Sequence, residues 1–216
     1  MNRSRVVSLL IVALALAGSR AAAQDDRLSR RLDSTTYAQV AAELDSARGA
    51  GLPLEPLIAR ALEGASKNAA GARIVAAVHR LAADLATARR ALGDASTTTE
   101  LEAGASALRA GVDATALSEL RRARPHHALT VPLAVLADLV ARGVPADTAA
   151  RFVVTLAPAT DEQFVIFQRN VERDIALGAP PIAAAAVRMS APSSGTDYAS
   201  PPGPSSSPTP PPRRRP

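Results

Sequence analysis

The sequence predicts an all-α protein of seven or eight short helices, packed as one bundle or as an array of helical hairpins. Apolar residues recur at helical spacing along most of the chain between residues 24 and 190. No stretch of strand length alternates apolar and polar residues with a period of two. Glycine followed closely by proline separates several of the helical segments, which is typical of one helix ending and the next one starting.

The N-terminal segment predicts an export signal. It begins with Arg3 and Arg5, continues with an uncharged apolar stretch over residues 6–17 and ends in three alanines. This order is typical of a secretory signal that is cut after a small residue, here Ala23. A membrane anchor is the competing interpretation, but a helix needs about 20 apolar residues to cross a bilayer, and Arg20 interrupts this stretch too early.

Three regions follow from this interpretation. Residues 1–23 form the predicted signal peptide, residues 24–190 a helical domain and residues 191–216 a tail. We expect the processed protein to be secreted or periplasmic, without a transmembrane helix. Because the chain contains no cysteine, it has neither a disulfide nor a lipid-attachment thiol, and its stability has to come from apolar burial.

The tail is rich in proline and serine. It holds nine of the 17 prolines, so we expect it to be disordered and partly in the polyproline II conformation. One interpretation makes it a ligand for a proline-binding groove, or a spacer to an envelope surface, with Arg213, Arg214 and Arg215 as its partner-binding tip. The other makes it a solvated terminus without a partner.

The positive charge of the chain lies at its ends. The net charge is +5, yet residues 24–190 hold 19 basic and 19 acidic residues, which cancel. Three Phe and two Tyr are the only aromatic residues available for stacking on bases. We therefore expect no nucleic-acid partner, and we expect the local arginine clusters on solvated helix faces. These clusters are Arg27, Arg30 and Arg31, then Arg89 and Arg90, then Arg121, Arg122 and Arg124.

Three helices are predicted in the first half of the domain, each from a one-sided apolar stripe. The first covers residues 34–49, with Tyr37, Val40, Ala41 and Leu44 on one face. The second covers residues 53–65, with Leu54, Leu57, Ile58, Ala61 and Leu62 inward. The third and clearest covers residues 71–92, with Ile74, Val78, Leu81, Leu85 and Leu92 on one stripe between two bracketing glycines.

Five further helices follow. The segment 97–111 opens with capping-box spacing, at Thr97 and Glu100 or at Thr99 and Glu102, and a short helix covers residues 114–123. The broad apolar stripe of residues 129–143 predicts a central, largely buried helix entered through Pro132. The next helix covers residues 145–157, and the last begins at Thr160, which has capping-box spacing to Gln163, and runs over residues 160–178. Its core stripe is Phe164, Phe167, Val171 and Ile175.

Similar turns connect several of these helices. They begin at Gly51, Gly111, Gly143 and Gly178, which are 60, 32 and 35 residues apart. This spacing is consistent with stacked helical pairs in a solenoid-like arrangement. Generic glycine stop and proline start signals explain it equally well.

Groups suited to catalysis are few. The histidines are His79, His126 and His127, and the last two are neighbours that diverge by about 100 degrees on a helix, which suits them poorly to chelate one ion. Ser66 lies beside Lys67, but a serine with a lysine base needs wider spacing on a helix. We therefore name no catalytic, cofactor-binding or metal-binding residue and expect no cofactor.

The stretch ALEGASKNAAGARIVAAV at residues 61–78 resembles exported, alanine-rich helical proteins of unknown function from bacteria of high genomic GC. The similarity continues through ALRAGV at residues 107–112 and LADLVARGVP at residues 136–145. The resemblance implies export and a helical body. It brings no activity, ligand or site residue.

Three functions are compatible with this sequence. The first is a non-catalytic helical interaction or scaffold domain in the cell envelope, which binds an envelope protein or surface. The second is a hydrolase-type enzyme with a histidine and carboxylate site between helices. The third is association with a membrane surface, which requires a helix face rich in lysine and arginine and therefore fits a neutral body least well.

Overall fold

The computed structural model describes residues 26–190, and within that range the chain is all-α, as the sequence predicts. The predicted signal peptide and tail lie outside the described residues. Nine helices follow a short helical turn at residues 26–29. They are α1 (Ser34–Gly49), α2 (Glu55–Ser66), α3 (Gly71–Leu92), α4 (Thr98–Arg109), α5 (Ala114–Ala123), α6 (Thr130–Ala141), α7 (Ala146–Thr155), α8 (Asp161–Ala176) and α9 (Pro181–Ser190).

Side-chain caps fix the start of three helices. Thr97 and Glu100 form a capping box at α4, which settles the choice between the two predicted pairs. Thr160 and Gln163 form the predicted capping box at α8. At α1 the side chain of Asp33 accepts a hydrogen bond from the backbone N–H of Thr36, which satisfies a donor that the helix itself leaves free.

One type of turn ends four helices and recurs with asparagine at a fifth. Gly51, Gly111, Gly143 and Gly178 have φ between +69° and +100°, and Asn68 has φ of +52°. In each case the backbone N–H of the following residue donates to the carbonyl five residues before it, as Val144 does to Leu139 at 3.0 Å. This is the pattern of a Schellman turn, in which a left-handed residue reverses the chain and a hydrogen bond closes the helix end.

The helices pack mainly on neighbours two positions apart. The contacts α3 to α5, α5 to α7 and α7 to α9 form one series, and α4 to α6 and α6 to α8 form another. The pairs α3 and α4, α6 and α7, and α8 and α9 connect the two series. At the N-terminal end α1 and α2 both pack on α3, which therefore contacts four helices.

The apolar stripes meet in one core. Every stripe residue predicted for α3 is buried, and Ala88 joins them. The prediction of a largely buried α6 is also correct, because Leu133, Leu136 and Leu139 are almost fully enclosed. Gly104 lets α4 approach α3 closely, since a Cβ atom there would lie 3.1 Å from the Cβ of Ala88.

Helix α9 is the one of these nine helices that the sequence pattern does not predict. Its sequence, PIAAAAVRMS, buries only Ala184 and Ala185, so no leucine or aromatic stripe announces it. Pro181 at its first position was the available signal, because proline is favoured at the first position of a helix. The ring of Pro181 also packs near Gly143, at the turn before α7.

Candidate functional site

One of the most deeply buried charged groups in the described residues is the carboxylate of Glu100, near the N-terminus of α4. One oxygen, Oε1, accepts hydrogen bonds from the backbone N–H of Leu129 and from Nη2 of Arg121, each at 2.8 Å. The other, Oε2, accepts one from the backbone N–H of Thr97 at 2.9 Å. The side chain of Glu100 is 5% exposed and that of Arg121 is 23% exposed.

These hydrogen bonds control the protonation of Glu100. Burial by itself raises the pKa of the carboxyl group, because it penalises the charged form. The backbone N–H groups of Thr97 and Leu129, together with Arg121, outweigh that penalty and hold the pKa below the ordinary glutamate value. Glu100 is therefore an ionised anchor for two neighbouring helices and has no proton to offer a substrate at neutral pH.

Arg124, three residues after Arg121, forms a second buried network. Its side chain is 5% exposed, and Nη1 donates to the carbonyl oxygens of Ala157 and Ala159 at 3.0 and 2.5 Å. Nη2 donates to Asp161 Oδ1 at 2.9 Å. The guanidinium carbon lies 5.4 Å from the centre of the Phe164 ring, within the range of a cation–π contact.

The sequence predicts that the arginine clusters lie on solvated helix faces, and for three of these arginines this prediction is wrong. Arg89, Arg121 and Arg124 all turn toward the body and donate to backbone carbonyls of neighbouring turns; Arg89 Nη2 binds the carbonyl of Gly51 at 2.9 Å. The carbonyls that close a helix end or a turn need donors, and the planar guanidinium supplies several at once. The other members of the clusters are exposed. They are Arg27, Arg30, Arg31, Arg90 and Arg122.

One surface cleft gathers the N-terminal arginine cluster. It has a volume of about 510 Å³ and is lined by Arg27, Arg30 and Arg31 with Asp26, Leu62 and Ser66. Arg27 pairs with Glu55 at 3.0 Å, and Arg30 pairs with Asp26. Two of the three arginines are thus neutralised by local carboxylates, which leaves a mildly basic hollow rather than a strong anion site.

The second cleft lies between α2, α3 and α4 and has a volume of about 380 Å³. Its polar lining consists of Arg60, Glu63, Glu102, Ser106 and Arg109. Hydrogen bonding to Lys67 lowers the pKa of Glu63, so this carboxylate is a poor proton donor near neutral pH.

Asp84 on α3 lies in an environment that disfavours the charged form of its carboxyl group. Its Oδ2 atom is buried and has no hydrogen-bond partner. Burial raises the pKa of Asp84, although Arg109 and Arg80 act in the opposite direction. Asp84 therefore marks a place where the fold tolerates an unfavourable carboxylate, and it is not among the residues that line either cleft.

The three histidines are exposed, one on α3 and two in the loop before α6. His79 on α3 lies 3.0 Å from Glu43 Oε1 on α1, and it pairs with Glu43 rather than with Asp84, the nearest acid along its own helix. His126 and His127 lie in the loop before α6. No histidine lines either cleft, and the one histidine that pairs with a carboxylate, His79, is exposed outside both of them.

Ser66 and Lys67 do not form a nucleophile and base. The hydroxyl of Ser66 donates to the carbonyl of Glu63 at 2.8 Å, and Nζ of Lys67 binds Glu63 Oε1 at 2.6 Å. Both side chains thus bind Glu63 in the last turn of α2. In residues 26–190, moreover, no three histidine, aspartate or glutamate side chains gather where a metal ion would fit.

Large apolar side chains are exposed at one end of the fold. Ile166 on α8, Leu177 in the following turn, and Ile182 and Val187 on α9 are the large hydrophobic residues that the described part of the chain leaves exposed. We refer to α8, this turn and α9 as the C-terminal hairpin. The partner-binding residues expected from the sequence, Arg213, Arg214 and Arg215, lie outside the described residues.

None of the helices from residue 26 to residue 190 combines the length and the apolar character needed to cross a bilayer. Comparison of the chain with protein families, with curated proteins and with solved structures gives no match.

Proposed function

We propose that this chain is an exported, non-catalytic interaction or scaffold domain of the cell envelope, and that it binds a protein or a surface component there. The observation that carries the proposal is the clustering of exposed large apolar side chains in the C-terminal hairpin. Apolar groups that gather in one region of an otherwise polar surface mark places where a protein associates.

The helix contacts support an array of hairpins rather than one closed bundle. A helix that packs on the neighbour two positions further along, as α4 does on α6 and α6 on α8, extends the fold in one direction. Such repeated hairpins offer long surfaces whose side chains vary without disturbing the core. The recurring turns at Gly111, Gly143 and Gly178 support the same proposal, because each ends one helix and leads into the next with the same backbone geometry.

In this proposal the tail extends the distance over which the protein contacts its partner. Residues 191–216 follow α9 directly, so a partner held by the C-terminal hairpin would lie near the start of the tail. Arg213, Arg214 and Arg215 then serve as an electrostatic contact to an acidic envelope surface.

Export and partner capture are tested separately. Expression of the full chain followed by fractionation and mass determination of its N-terminus should give a periplasmic or secreted protein that begins near Gln24. Full-length protein left in the cytoplasm would contradict export.

Partner capture is tested by chemical cross-linking in cells and by recovery from envelope extracts. The chain is compared with a variant that ends at Ser190 and with Ile166→Asp. We expect Ile166→Asp to lose the captured component and the shortened chain to bind it more weakly. Identical recovery by all three proteins would contradict the proposed roles of both the hairpin and the tail.

A hydrolase with a carboxylate site remains the alternative function. The observation in its favour is that Glu63 and Glu102 line the same cleft together with Ser106. This alternative predicts hydrolysis of an ester or a glycoside that is lost in Glu102→Gln and retained in Glu119→Gln, a glutamate outside the cleft. We rank it second because Glu63 is held in its ionised form by Lys67 and Arg60.

A further inference from the structure

The C-terminal hairpin is exposed in a way that the other end of the fold is not. Ile166, Leu177, Ile182 and Val187 are 49%, 80%, 46% and 60% exposed. At the N-terminal end the exposed residues of α1 are all polar or small. Stacked helical proteins need a polar outer face at each terminus to remain soluble, and only one terminus of this fold has one.

The packing series show which face is open. In the series α4, α6 and α8, helix α6 packs on a helix at each side, whereas α8 is the last member of the series in residues 26–190 and packs beyond it only on α9. The core side of α8 carries Phe164, Phe167 and Val171. Ile166 points about 200° away from Phe164 around the helix, and Leu177, eleven residues further on, returns to the face of Ile166.

We propose that two copies of this chain associate through the C-terminal hairpin, with a two-fold axis passing close to Ile166. The inference rests on the proposed function as an interaction domain and names the partner as a second copy. A two-fold contact brings the same patch of both copies together, so the patch must be complementary to itself.

The charges around Ile166 meet this requirement. Glu162 lies four residues before Ile166 and Arg169 three residues after it, on the same outer face of α8. Both side chains are exposed, and neither makes a hydrogen bond or an ion pair with any residue from 26 to 190. When two α8 helices cross in antiparallel orientation at Ile166, Glu162 of each copy faces Arg169 of the other.

The tail is a poorer occupant for this surface. Residues 191–216 contain no leucine, isoleucine, valine, phenylalanine or methionine, and Tyr198 is their one aromatic residue. They can therefore bury little apolar area against Ile166. A second copy brings the same isoleucine and the same pair of charges, so it satisfies both features of the surface.

The first test is a charge exchange, followed by sedimentation velocity of the purified protein from about 1 µM to about 200 µM. We expect a reversible dimer. Glu162→Arg and Arg169→Glu should each weaken it by about tenfold, because each change disrupts two symmetry-related ion pairs. The double variant should restore the dimer, since the exchanged charges are again complementary. Arg122→Glu, at an exposed site on α5, is the control and should leave the dimer unchanged.

The second test uses the lack of cysteine in the natural chain. A residue beside a two-fold axis lies next to its own copy, so Ile166→Cys should form an intermolecular disulfide rapidly at low protein concentration. Ala128→Cys, in the exposed loop before α6, is the control and should remain mostly unlinked. Equal cross-linking of the two variants would indicate random collision and would overturn the proposal.

Three other results would also overturn it. One is a monomer throughout the concentration range, and another is a dimer that none of the α8 substitutions weakens. The third is a monomer that binds a hydrophobic dye only after removal of residues 191–216, which would assign the surface to the tail. All of these concern the purified protein alone, so they are distinguishable from a failure to capture an envelope component.

Discussion

The carboxylate of Glu100 lies 2.8 Å from the backbone nitrogen of Leu129 and so satisfies the start of a helix to which it does not belong. Leu129 is the N-cap of α6, and its own side chain offers no acceptor to the first turn. Glu100 meanwhile completes the capping box of α4. One side chain thus fixes the relative position of two helices that pack on each other.

The hydrogen bonds of Glu100 predict an acid-sensitive contribution to stability. Its folded-state pKa is below the ordinary value of 4.5, so the stabilisation is complete above that value and is lost as the pH falls through the folded-state pKa. We expect Glu100→Gln to lower the free energy of unfolding by about 2 kcal/mol at pH 7. The difference from the natural protein should shrink as the solution is acidified.

Denaturant unfolding at a series of pH values measures this effect. Glu102→Gln is the matched control, because Glu102 is exposed two residues further along α4, and it should change little at any pH. A difference that stays constant from pH 7 to pH 3 would show that ionisation of Glu100 is not its cause.

We expect Arg124 to contribute to the stability of the protein and the nearby Arg122 to contribute little. Removing its guanidinium leaves the carbonyls of Ala157 and Ala159 without a donor in a place where Arg124 is 5% exposed. We expect Arg124→Met to lower the free energy of unfolding by about 2 kcal/mol. Arg122→Met should change it by less than about 0.5 kcal/mol, because Arg122 is exposed. Thermal unfolding followed by circular dichroism measures the stability of both variants. If Arg124 acted only through its aliphatic stem, which methionine largely retains, the two variants would lose equally little stability.

The recurring turn can be tested by a pair of glycine substitutions. Gly111 has φ of +100° and open space around it, so alanine there meets no neighbour but is forced into a left-handed conformation. We expect Gly111→Ala to lower the free energy of unfolding by about 1 kcal/mol. Gly49→Ala, within α1 and equally free of neighbours, should leave it unchanged or raise it slightly. The expectation fails if both variants unfold at the same denaturant concentration.

Asp84 predicts a substitution that stabilises the protein. Because burial raises the folded-state pKa of this carboxyl group, its charged form is penalised at neutral pH and the penalty disappears as the group becomes protonated in acid. We expect Asp84→Asn to raise the free energy of unfolding at pH 7 and to lose that advantage at low pH. Asp94→Asn, at an exposed site, is the control. A loss of stability at pH 7 would show that attraction to Arg109 and Arg80 outweighs burial.

Much of the helical structure could be predicted from the sequence, since it depends on local patterns. The apolar stripe of α3 and the capping box at Thr160 can be recognised over a few residues, and the structure confirms both. At α4 the sequence allows two capping boxes, and the structure has the one at Thr97. Helix α9 was missed because its buried face consists of alanine, which gives almost no periodic contrast.

The polar networks could not be predicted in the same way. Glu100 and Arg121 are 21 residues apart, and Arg124 and Asp161 are 37 apart, so their pairing depends on how the helices stack. A charged residue near a helix end looks the same in sequence whether it is solvated or turned toward a neighbouring carbonyl. Leu129 gave an indirect signal, because α6 begins without a side-chain cap of its own and needs an acceptor from elsewhere.

The unequal numbers of neighbours along the fold imply a gradient of local stability. Helix α3 packs on four others, whereas α9 packs mainly on α8, makes a smaller contact with α7 and buries two alanines. Amide hydrogens of α9 should therefore exchange with solvent by fraying, without global unfolding, while those of α3 should wait for the whole protein to open. A protease should accordingly make its first cut in or beside α9, before any cut in α3.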